Sequence, residues 1–105
     1  MMGATVKEGL WIAHPNGIVI SGYAVIGKNF KIWQNCTVGI KGGVGEKRIC
    51  IGDNVRLCAH SCIIGDEIEI ADDVTIGSMS FVNKSLSLPG IYVTRKVTDH
   101  AVGPF

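Results

Sequence analysis

The chain has 105 residues, which is room for one domain. Its net charge is +1 and 18% of its residues are charged, a balance that points to neither a nucleic acid nor an anionic membrane as partner. Hydrophobic residues make up 47%, yet no apolar run approaches the roughly 20 residues of a membrane helix, and the opening MMGATVKEGL lacks the apolar core of a secretory signal.

In chain order, the first distinctive stretch is LWIAHPNGIVISGYAVIG, residues 10 to 27. It contains His14 and then Pro15-Asn16-Gly17, a turn signal. From Ile20 an aliphatic residue recurs every six positions: Ile26, Ile32, Val38. Ile12 stands eight residues before Ile20, so the period is broken around His14. A glycine-rich, basic excursion follows, Lys41-Gly42-Gly43-Val44-Gly45-Glu46-Lys47-Arg48, and the count resumes at Ile51, Leu57 and Ile63. It slips by one residue at Gly65-Asp66-Glu67 and resumes at Ile70, Ile76 and Val82. The tail TDHAVGPF carries His100. Cys36, Cys50, Cys58 and Cys62 form no CxxC pair and no zinc-finger spacing, so they read as reduced thiols in a cytoplasmic protein.

A period of six fits neither one helix nor an alternating strand. It fits short strands separated by turns, each strand placing an aliphatic side chain inward. The second place of the hexad is often small (Gly27, Gly39, Gly52, Ala71, Gly77), which suits corners needing φ > 0 or close backbone approach. The fifth place is small or β-branched in Ala24, Cys36, Val55, Ser61, Val74 and Ser80, with Phe30 a large exception there and Trp33 at a second place. Stacked coils of this kind pair strands in parallel at about 4.8 Å and build a continuous aliphatic ladder.

The hexads IGKNFK, IGDNVR, IADDVT and IGSMSF resemble those of the hexapeptide-repeat acyltransferases. The resemblance implies an all-β fold, a left-handed parallel β-helix of about four coils, where strand-crossover rules alone would favour right-handed coiling. Three hexads then make one coil: Ile26/Ile32/Val38, Ile51/Leu57/Ile63 and Ile70/Ile76/Val82. The chain reads as a single domain over 1–105, with repeats from about 10 to 93 and an irregular tail at 94–105.

Within that family, His14-Pro15-Asn16-Gly17-Ile18-Val19-Ile20 is similar to the His-x-x-Gly-Ile-Val-Ile segment of the serine acetyltransferase branch and its sugar and polysaccharide relatives. The resemblance implies an acetyl-CoA-dependent O-acetyltransferase with His14 as catalytic base, acetyl-CoA as co-substrate and no metal. It also implies a homotrimer with active sites between subunits. A thioester is already activated, so a neutral imidazole that deprotonates the attacking hydroxyl suffices near pH 7. Ala59, Gly77, Ser78 and Lys96 fall where the family's turns pass CoA. Trp11, Asn16 and Arg48 are the candidates for acceptor binding, and Trp33 and Tyr23 are further aromatic candidates for a sugar. His60 reads as a solvated corner residue. Cys58 and Cys62 are explained by their repeat positions rather than as nucleophiles.

The chain departs from the serine acetyltransferase pattern at three points. Ala13 replaces the Asp before the histidine, Arg48 stands in place of a second histidine, and no Gly-x-Pro-Ala follows the last coil. These losses favour a sugar or related hydroxyl as acceptor, with serine the alternative. A catalytically silent solenoid serving as an assembly partner is a rival reading. A γ-class carbonic anhydrase is another, but His14, His60 and His100 are too scattered in sequence for its three-histidine zinc site.

Overall fold

The computed structural model describes residues 4–93. The tail 94–105, with Lys96 and His100, lies outside the described residues. Thirteen short strands follow one another with no helix among the described residues, and none therefore long and apolar enough to cross a membrane. The first coil carries β1 (Thr5–Val6), β2 (Trp11–Ile12) and β3 (Val19–Ile20). The second carries β4 (Ala24–Ile26), β5 (Lys31–Ile32) and β6 (Thr37–Gly39), and the third β7 (Arg48–Ile51), β8 (Arg56–Leu57) and β9 (Cys62–Ile64). The fourth carries β10 (Glu67–Ile70), β11 (Val74–Ile76) and β12 (Phe81–Val82); a partial fifth adds a bridge from Leu86 to Ile70 and β13 (Gly90–Tyr92).

These strands form three parallel sheets, ordered β1-β4-β7-β10, β13-β11-β8-β5-β2 and β12-β9-β6-β3. They are the first, second and third faces of a left-handed solenoid. The register is the one that three hexads to a coil imply. Ile26 pairs Ile51, Ile32 pairs Leu57 and Val38 pairs Ile63; one coil on, Ile51 pairs Ile70, Leu57 pairs Ile76 and Ile63 pairs Val82. Pairing begins at Thr5, ahead of the boundary read near residue 10, because Val6 already stacks under Ile26. Each of these ladder residues from Ile26 to Val82 is buried, and full burial of a large aliphatic side chain contributes about 1.5–3 kcal/mol.

A second set of inward residues comes from the fifth places. Phe30, Val55 and Val74 are buried behind the second face, and Cys36, Ser61 and Ser80 behind the third. The small polar column satisfies itself. Cys36 Sγ donates to the Cys58 carbonyl at 3.0 Å, Ser61 Oγ to the Gly77 carbonyl at 2.7 Å, and the Ser80 amide to Ser61 Oγ at 3.2 Å. Buried hydroxyls left without such partners would be costly.

The corners correct one expectation. Positive φ is found at the fourth place of the hexad, not the second: Asn29, Asn35, Asn54, His60, Asp73 and Met79 all have φ near 60°. Asn and Asp tolerate this region because their short polar side chains bond locally, so the NxV-like hexads carry the turn. The second-place glycines serve the other need, close approach. A Cβ on Gly27 would stand 2.7 Å from the Gly52 carbonyl carbon of the next coil, and one on Gly52 2.8 Å from the Asp72 nitrogen.

The glycine-rich excursion and the one-residue slip are a single unit. Both occupy the corner between third and first faces, one coil apart. Asp66 Oδ1 accepts from the amides of Lys41 (3.0 Å) and Gly42 (2.9 Å), and Oδ2 from that of Gly43 (2.8 Å). The Lys47 ammonium closes the loop by donating to the carbonyls of Gly43 and Gly45.

Candidate functional site

His14 lies in the corner that joins β2 to β3, between the second and third faces. The regular corner has one residue between the second and fourth places. Here three residues, His14-Pro15-Asn16, stand between Ala13 and Gly17, and Gly17 takes the fourth-place role with φ +70°. The neighbours confirm the alignment. The Ala13 amide donates to the Ile32 carbonyl (3.0 Å) and the Asn35 amide to the Asn16 carbonyl (2.8 Å), so the enlarged turn is tied at both ends to the coil above. Two extra residues with a proline among them push the corner outward, and His14 is exposed. Its ring makes no hydrogen bond among the described residues, and the alanine before it has no polar side-chain atom with which to orient it.

The same corner, followed along the solenoid, carries most of the candidates. Above the His14 turn come Trp33-Gln34-Asn35, then Cys58-Ala59-His60, then Gly77-Ser78-Met79, linked by the amides of His60 and Met79 donating to the carbonyls of Gln34 (3.0 Å) and Ala59 (2.9 Å). Ala59, Gly77 and Ser78 thus share an edge with His14 and Asn16. Trp11, on the second face of the first coil, meets Trp33 edge-on, with ring centroids 5.3 Å apart and planes at 71°. The Lys31 ammonium stands 6.0 Å from the Trp11 ring centroid. This aromatic pair walls the second face beside the His14 corner, an amphipathic surface suited to a small polar ligand.

Two candidates lie elsewhere on the chain. Arg48 opens β7 at the other corner, where its guanidinium pairs with Glu69 at 3.5 Å and donates to Cys50 Sγ at 2.9 Å. Tyr23 precedes β4 at that same corner, exposed, its amide bonded to Ser21 Oγ at 3.1 Å. Neither is brought to His14 within one chain. A groove of about 490 Å³ lies on the first face, lined in part by Lys7, Val25, Cys50 and Ser85, also away from His14.

Cys36 and Cys58 are held as thiols by their surroundings. Burial pushes the Cys36 thiol up despite nearby backbone amides, and burial likewise raises Cys58, opposed by the Arg56 charge. Thiols held protonated are poor nucleophiles. No group of three metal-ligating side chains occurs among the described residues. The residue that sequence reasoning missed is Gln34, whose Oε1 is buried without a partner. Its signal was its third place in a hexad directly above the broken repeat.

Set beside known proteins, the chain is 40% identical over 85 residues to a serine acetyltransferase of Staphylococcus epidermidis, covering 80% of this chain and 39% of that protein. The chain is related to the serine acetyltransferases. The structure of serine acetyltransferase isoform 3 from Entamoeba histolytica in complex with cysteine superposes with a TM-score of 0.79 at 26% identity, over 97% of this chain and 36% of that one. The Neisseria gonorrhoeae serine acetyltransferase in complex with serine gives 0.72 at 30% identity, over 90% and 38%. No protein-family model matches. This serine acetyltransferase-like chain therefore spans about two-fifths of the length of the curated relatives it matches.

Proposed function

We propose that the chain transfers acetyl from acetyl-CoA directly to the hydroxyl of a small acceptor, with His14 as general base. The observation that carries this reading is the outward-pushed His14 turn on a solenoid similar to the serine acetyltransferases. The neutral imidazole removes the hydroxyl proton as the oxygen attacks the thioester carbon. The tetrahedral intermediate then expels CoA as its thiolate, which recovers the proton from the imidazolium. Backbone amides of the corner turns are the donors available to the oxyanion. Ala59, Gly77 and Ser78 extend along the edge where the pantetheine arm of acetyl-CoA would run, and Lys96 of the tail is proposed for its phosphates.

The relatives favour L-serine as acceptor over the sugar hydroxyl that the departures at Ala13 and Arg48 suggest. The Trp11–Trp33 wall supports the sugar as the second reading, since aromatic faces suit the apolar side of a sugar ring. Asn16 is proposed to contact either acceptor. Arg48 can reach His14 only from a neighbouring subunit, so its role in acceptor binding requires the homotrimer that we also propose. The third face fits such packing: its outward column of Val19, Thr37, Cys62 and Phe81 carries no charge.

The test is CoA release from acetyl-CoA by the purified chain, with L-serine and a panel of sugars as acceptors. Serine-dependent release that disappears in His14→Ala supports the reading. Release with sugars alone transfers the acceptor assignment to the second reading, and no release with any acceptor overturns the proposal.

A further inference from the structure

Two polar groups on the second-to-third corner lack partners, and they are complementary. Gln34 Oε1 is the buried side-chain polar atom without a hydrogen-bond partner among the described residues. The His14 ring, a donor at one nitrogen when neutral, has no acceptor among them. They belong to adjacent coils: Gln34 sits directly over the His14 turn, between Ile32 and Asn35, whose backbones bind Ala13 and Asn16.

The direction of a third-place side chain is set by the other corners. Asp53 and Asp72 occupy the same hexad place as Gln34, and each reaches back to the preceding coil. Asp53 Oδ1 accepts from the Lys28 amide at 2.8 Å, and Asp72 Oδ1 from the Asp53 amide at 2.6 Å. At the His14 corner Gln34 Oε1 makes no such bond. The turn has been enlarged by two residues, and one of its three central residues is Pro15, which has no N–H. The backbone bond that a regular coil supplies is not made here, and the ring N–H of the histidine is a donor in that turn able to replace it.

We infer that Gln34 is the positioning residue for His14: its Oε1 accepts the ring N–H, fixing one tautomer and leaving the other nitrogen bare toward the acceptor hydroxyl. A neutral carbonyl does this as a carboxylate would, without adding a charge. The catalytic part of this inference rests on the acetyl-transfer reading above; the pairing itself does not.

The ¹⁵N spectrum of histidine-labelled protein reads the pairing without any turnover. At a pH where His14 is neutral, the wild type should show one dominant His14 tautomer, and Gln34→Met, near in volume, a mixture. Gln34→Glu should restore the single tautomer and raise the His14 pKa, because a carboxylate then faces the imidazolium. In turnover, Gln34→Met should lose tenfold or more in kcat with the KM for acetyl-CoA unchanged, and Gln34→Glu should recover most of it. Equal tautomer populations in wild type and Gln34→Met overturn the inference. If Gln34→Met fails to fold, the His14 pKa in Gln34→Glu decides: unchanged from wild type, it overturns the inference. A tautomer shift in a protein that transfers no acetyl group keeps the pair and removes the acetyl-transfer reading.

Discussion

Asp66 Oδ2 lies 2.8 Å from the amide nitrogen of Gly43, twenty-three residues earlier in the chain. With the Gly42 and Lys41 amides on the other oxygen, one carboxylate holds the start of the excursion against the coil above. The Gly42 amide chiefly, helped by those of Gly43 and Lys41 and by the Lys47 charge, holds the Asp66 carboxyl below its ordinary value of 3.8, and burial, the second-largest effect, opposes them. A depressed carboxylate pKa stabilises the fold above the ordinary value, and that contribution is lost as pH falls through the depressed one. The amide resonances of Gly42 and Gly43 should therefore hold steady from neutrality down to about pH 4 and move only below it. In Asp66→Asn they should already be displaced at neutral pH. A wild-type loop whose amides titrate near neutrality would contradict this anchor.

The corner at Met79 is strained. An L-residue at φ 61° without a short polar side chain costs about 1 kcal/mol. Met79 is exposed, so little packing is lost on replacing it. Met79→Asn should raise stability by about 0.5–1 kcal/mol in urea unfolding, and Met79→Val should lower it.

The aliphatic ladder is tested at Ile76, fully buried between Leu57 and Tyr92. Ile76→Ala should cost about 2–5 kcal/mol through lost burial and a residual cavity. Lys28, exposed at a corner, should tolerate alanine within about 0.5 kcal/mol. Chemical denaturation of both variants measures the pair.

Ladder residues were legible in the sequence because each must be aliphatic, and the resemblance to a three-hexad coil placed Ile26, Ile51 and Ile70 in one stack. The corners were read only in part. Glycine is the residue usually associated with positive φ, yet in the regular hexads this chain assigns the left-handed place mostly to Asn and Asp, while the second-place Gly27 and Gly52 serve close approach. Asp66 was not legible as an anchor because its partners are backbone amides, which carry no residue signature. Gln34 was hidden for a similar reason: its importance lies in a backbone bond that is not made to another coil.

His14 and His60 share one corner, two coils apart, and both are exposed. They separate chemistry from mere location. His14→Ala should lose about 10²–10⁴-fold in kcat with little change in CoA affinity, and His60→Ala should be nearly neutral. Steady-state kinetics with L-serine checks both; equal losses would remove His14 from its role.

Val19 is 58% exposed on the uncharged third face. If that face packs against a neighbour, Val19→Arg should convert the assembly to monomer in light scattering while leaving the strand signature in circular dichroism intact. A wild-type chain that scatters as a monomer at micromolar concentration would exclude the trimer.

Stacking makes the solenoid a ruler. Along the second-to-third corner, Ser78 stands three coils beyond His14, and at about 4.8 Å per coil that is roughly 14 Å. This span can change only in whole steps, because removing part of a coil would turn every later side chain onto a different face. A ligand gripped at Ser78 and reacting at His14 must match the step count. Deleting one complete coil would leave the ladder in register while bringing the two ends closer by about 4.8 Å.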